Sequence, residues 1–75
     1  MSNKQSLSTR RALALQHVVR GRVIVAQQRR LISDIRARNG NAADAEDLLV
    51  SFERSLVIFE DDLADLDLQE KSQVP

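Results

Sequence analysis

Arg36-Ala37-Arg38-Asn39-Gly40-Asn41-Ala42-Ala43-Asp44-Ala45-Glu46 carries the strongest break in the chain, and its reading decides the fold. Gly40 suits the left-handed position just past a helix end, which residues with a Cβ adopt at a cost. Arg36 and Arg38 place cations against the negative end of a helix dipole. Asn41 is a good N-cap, and Asp44 and Glu46 put anions into the first turn of a second helix. One helix therefore ends and another begins within a few residues.

Working outward, the downstream segment has a clean heptad. Ala45, Leu49, Phe52, Leu56, Phe59, Leu63 and Leu66 alternate steps of four and three, the seam of a coiled coil or helical bundle. A weaker seam runs upstream through Ala14, Val18, Gly21, Val25, Gln28, Ile32 and Ile35. Gly21 inside a helix costs ~1 kcal/mol against alanine, so it points to close packing. Ser6, Ser8 or Thr9 can start this first helix. The alternation of a strand is absent. These signals predict an all-α fold, an antiparallel, coiled-coil-like two-helix hairpin. Its helices span 8–38 and 42–68 around a turn at 39–41, with disordered tails at 1–7 and 69–75.

An antiparallel hairpin bent at Gly40 pairs residues whose numbers sum to about 80. The seams then meet as Ala14 with Leu66, Val18 with Leu63, Gly21 with Phe59 and Val25 with Leu56. Gln28 faces Phe52, Ile32 faces Leu49 and Ile35 faces Ala45. Small residues of helix 1 fall opposite large ones of helix 2, which fills the layers evenly, and Phe59 over Gly21 accounts for the glycine. Beside the seam, the same register sets Arg22 against Glu60, Arg29 against Glu53 and Arg36 against Glu46. This ladder gives the charge distribution a meaning. Residues 1–40 hold nine bases and one acid, a net charge of +8, and residues 41–75 hold ten acids and two bases, a net charge of −8. The two halves neutralise each other within the hairpin, and the ladder specifies register more than it stabilises.

The other flank pairs Leu31 with Leu48, Ile24 with Ser55 and His17 with Asp62. With Val19, Val23, Val50, Val57 and Ile58, it leaves more apolar surface than one helix pair hides. Seventy-five residues without a cysteine bury too little to be comfortable alone, which leaves association as the staple. The expectation is a homodimer forming a four-helix bundle, or the same surface taken by a partner protein's helices. The expected interface comprises His17, Gly21, Ile24, Gln28, Leu31, Leu48, Phe52, Ser55 and Phe59.

Other classes find little support. The sequence contains no apolar run long enough for a membrane span and no secretory signal, so a cytoplasmic protein is the default. One histidine and no cysteine argue against a structural metal site, and neither a cofactor motif nor a small-molecule substrate site is evident. His17 beside Asp62 is a candidate acid–base pair, but no nucleophile or metal cluster accompanies it. The plainer reading is a rim hydrogen bond in a protein that is not an enzyme. Gln28 is either a buried amide that meets its symmetry mate or a side chain that bends to solvent. Arg10, Arg11, Arg20 and Arg30 stand outside the ladder and are candidate contacts to a nucleic-acid backbone. Solvation is the simpler account, because the second helix is acidic and Phe52 and Phe59 are the only aromatics. Asp61, Asp62, Asp65 and Asp67 crowd the end of helix 2, where the dipole disfavours anions, and are candidates to attract the basic N-terminus of helix 1 or a cationic partner. A calcium loop is not suggested, since the required glycine turn is absent.

The stretches His17-Val18-Val19-Arg20-Gly21-Arg22, Gln28-Arg29-Arg30-Leu31-Ile32, Ala45-Glu46-Asp47-Leu48-Leu49 and Phe52-Glu53-Arg54-Ser55-Leu56, with Gly40 between them, resemble short uncharacterised bacterial helical-hairpin proteins. The resemblance covers residues 12–66 and rests mostly on packing positions. It implies a helical hairpin and a signalling context, since similar segments occur alone or beside sensory signalling domains, and it supplies no catalytic residues. The architecture also resembles an RNA-binding plasmid regulator built as a dimer of hairpins, a likeness of fold alone. The function expected is a homo-oligomeric interaction module, an adaptor or regulator in bacterial signalling. The alternative is an RNA- or DNA-binding regulator using the arginine-rich first helix.

Overall fold

Two helices account for all the regular structure among residues 6–72, the part of the chain that a computed structural model describes. The first, α1, spans Leu7–Ala37, and the second, α2, spans Ala43–Ser72. Ser6 is the N-cap of α1: its hydroxyl accepts the Thr9 N–H at 3.1 Å, satisfying one of the donors a helix start leaves open. α2 continues past the expected end at 68, so residues 69–72 are helical. The outer parts of both expected tails, 1–5 and 73–75, lie outside the described residues.

The turn differs from expectation in one informative way. The left-handed residue is Asn39, with φ 58°, and Gly40 has no positive φ. Asn39 donates its N–H to the Arg36 carbonyl at 3.0 Å, and Gly40 donates to the Ile35 carbonyl at 2.8 Å. This pair of bonds is a Schellman closure, with asparagine where glycine is commoner. Gly40 is needed for room: a Cβ there would stand 2.9 Å from Ile35 Cγ2 and 3.1 Å from the Ile35 carbonyl oxygen. α2 opens one residue later than expected: Ala42, not Asn41, holds the N-cap position, its carbonyl accepting the Glu46 N–H at 2.8 Å, and Asn41 Oδ1 accepts the Ala43 N–H at 2.9 Å from just before it.

The two helices pack along the expected seams. In α1, Ala14, Val18, Gly21, Val25, Gln28 and Ile32 are buried and Ile35 is half-buried. In α2, Ala45 and Leu66 are buried, while Leu49, Phe52, Leu56, Phe59 and Leu63 remain half-buried. The asymmetry follows from size. Small residues of α1 disappear beneath the large residues of α2, whose outer atoms extend beyond the contact. Gly21 is where this matters most: a Cβ there would lie 3.1 Å from Leu56 Cδ1 and 3.6 Å from Phe59 Cδ2. Leu56, more tightly than Phe59, therefore occupies the space the glycine leaves. Near the turn, Ile32, Ala42 and Ala45 form a small core that Ile35 and Leu49 cover. The hairpin measures 58 × 28 × 14 Å. Its 14 Å depth is that of a single layer of helices, so both broad faces lie open.

Candidate interaction surface

One broad face carries the charge ladder. Arg22 donates to Glu60 at 3.1 Å, Arg29 to Glu53 at 3.0 Å, and Arg36 to Glu46. The three rungs repeat every seven residues because each arginine flanks the α1 seam and each glutamate flanks the α2 seam at the same height. A fourth rung would pair residue 15 with Asp67, but position 15 is Leu15. Asp67 instead accepts a hydrogen bond from Arg11 Nε, and Glu70 lies 3.5 Å from the same nitrogen. The expectation that Arg11 stands outside the ladder is thus corrected. Arg11 and Glu70 occupy the next positions of the two seams, so the open end of the hairpin closes with ions where the seam proper uses apolar side chains. The hydrogen bond and charge of Asp67 hold the Arg11 guanidinium above its ordinary pKa, with Glu70 adding to the effect and desolvation opposing it.

Gln28 does not bend to solvent. It is 9% exposed, and its Nε2 donates to the Ala45 carbonyl of α2 at 2.9 Å. One amide donor is thus engaged across the hairpin, between the two helices. Gly21 and Gln28 are therefore used in the contact between α1 and α2, as are the seam-facing sides of Phe52 and Phe59. His17 also departs from the expected pairing. Its ring lies against Phe59, with centroids 5.3 Å apart and planes tilted by 44°. Among the described residues it makes no hydrogen bond or ion pair with Asp62, although both border the same groove.

That groove, about 450 Å³, runs along the open end of the opposite face and is bordered by Arg10, Leu13, His17, Asp62, Asp65 and Gln69. Towards the turn the same face becomes apolar at its centre. Ile24 is 37% exposed, Leu31 44% and Leu48 50%, with the small Ser55 between them. Leu13 and Ile58 extend the patch on its outer sides. Charges mark the rims. Arg20 and Asp34 lie along the outer α1 side, Asp44 and Asp65 lie along the outer α2 side, and Arg10, Arg38 and Asp62 stand beside the seam towards the two ends. Apart from Arg38, whose Nε donates to the Asp34 backbone carbonyl at 3.3 Å, none of these side chains pairs with another described residue. Apolar centre and charged rim are the anatomy of a protein interface.

The ladder face is built the other way round. Its centre is ionic, and its valines Val19, Val50 and Val57 sit on the outer edges. Covering it would desolvate three ion pairs, a cost that their attraction does not reliably offset. The arginines considered for nucleic acid do not form one stripe. Arg11 is held by Asp67, while Arg10, Arg20 and Arg30 fall at three different heptad positions. Among the described residues no cluster of His, Cys, Asp or Glu is placed to hold a metal ion. No described helix is long and apolar enough to cross a membrane. No family model matches the chain, and neither the curated proteins nor the solved structures contain a match.

Proposed function

We propose that this chain is a non-enzymatic helical interaction module. It acts as a homodimer of hairpins that joins into a four-helix bundle through the face opposite the ladder, and serves as an adaptor or regulator. The observation that carries the reading is the exposed apolar centre of that face, formed by Ile24, Leu31 and Leu48 from both helices. Among the described residues eleven large apolar side chains are exposed, and Val18 alone is less than 2% exposed among the large ones. A single layer with so thin a core gains most from a second layer. The face is also large enough: its 58 × 28 Å outline exceeds the roughly 800 Å² that each partner contributes to a standard interface. A signalling context follows only from the resemblance to bacterial hairpin proteins. Sedimentation equilibrium tests the reading, with the mass of two chains expected. A folded monomer at high micromolar concentration would overturn it.

A further inference from the structure

Given the reading of the chain as a dimer, the rim charges distinguish two ways in which a second copy can lie on the apolar face. With the twofold axis parallel to the long axis of the hairpin, turn lies beside turn and α1 of each copy covers α2 of the other. With the twofold axis across the hairpin, the turns lie at opposite ends and each helix covers its own counterpart.

We infer that a second copy of this chain docks in the first arrangement, turn beside turn, with the arginine rim of each α1 set on the aspartate rim of the partner's α2. The argument is charge complementarity. α1 carries seven arginines against one aspartate, and α2 carries ten acids against two bases, so the helices hold net charges of +6 and −8. Stacking α1 on α1 and α2 on α2 sets helices of like net charge together, which penalises the crosswise arrangement. A twofold along the hairpin leaves heights unchanged, so the register that sets Arg22 beside Glu60 within a chain carries over between chains. Arg20 of one copy then falls beside Asp62 of the other, and Arg38 falls beside Asp44. The apolar centres coincide, with Ile24 near Ser55 and Leu31 near Leu48 of the opposing copy. Arg20, Asp62, Arg38 and Asp44, whose side chains pair with no other described side chain within the hairpin, find partners in the dimer, and orientation is set by specificity more than by affinity.

Two charge-reversed chains test this. One carries Arg20→Glu and Arg38→Glu, the other Asp44→Arg and Asp62→Arg; circular dichroism checks that both keep their helicity. Each alone is expected to dimerise at least tenfold more weakly than the original chain, and an equimolar mixture to recover association as a heterodimer. Mixing cannot repair a defect within one chain, so recovery reports contact between chains. A dimeric original chain whose variants show no recovery on mixing would overturn the orientation and leave the dimer standing. A monomeric original chain would overturn both. A spin label at Asn41→Cys gives a second readout: turn beside turn predicts a short label-to-label distance, while one approaching the 58 Å hairpin length contradicts it.

Discussion

The two broad faces of the hairpin use similar side chains to opposite effect. On the ladder face, three arginine–glutamate rungs occupy the centre and valines sit outside. On the opposite face, Ile24, Leu31 and Leu48 occupy the centre and charges sit on the rims. The first pattern addresses α1 to α2 within a chain and is content with water above it. The second has no use within a chain. The difference teaches that the face a charge occupies decides which contact it specifies: on the ladder face it fixes intrachain register, and on the opposite face it is left for a neighbour.

The comparison breaks most readily at the apolar centre. Leu31→Glu combined with Leu48→Glu is expected to weaken self-association by a hundredfold or more while the helices remain, since each tenfold is ~1.4 kcal/mol and central contacts dominate interfaces. Analytical ultracentrifugation reads this, and matched changes at Val19 and Val57 on the ladder face should leave association nearly unchanged. Next comes the seam between the faces. Gly21→Leu forces a side chain into the space beside Leu56 and Phe59 and should destabilise the hairpin by ~1–3 kcal/mol, measured by urea unfolding. At the turn, Gly40→Ala meets the Ile35 carbonyl and is expected to lower stability by about 1 kcal/mol, whereas a residue tolerated there would argue that the loop shifts. The smallest effect belongs to a single rung. Arg29→Ala should change stability by only ~0.2–1 kcal/mol, and less in high salt, because the pair is largely exposed.

Much of this was legible in the sequence because it repeats. Two seams and three rungs obey one register, and a heptad read along fourteen seam residues averages out local ambiguity. What escaped reading lay where the repeat changes chemistry. Arg11 and Glu70 are seam positions that are not apolar, so apolar periodicity does not reach them. Leu15 breaks the ladder, and Asp67 turns to Arg11 as a result. The bond from Gln28 to the Ala45 carbonyl depends on side-chain reach, which residue spacing does not encode. At the turn, asparagine and glycine both accept left-handed backbone, so their spacing does not say which takes it; Asn39 does, and Gly40 lies close against Ile35. The apolar face was visible as composition on one flank. Its rim charges acquire meaning only when the ladder has claimed the other arginines and glutamates.

The central claim is that the face opposite the ladder binds a second copy of the chain. Sedimentation equilibrium of the full chain, alone and with Leu31→Glu and Leu48→Glu, tests it most directly. The account predicts the mass of two chains for the first and of one folded chain for the second. A folded monomer in both cases, or a dimer that survives both substitutions, would contradict it.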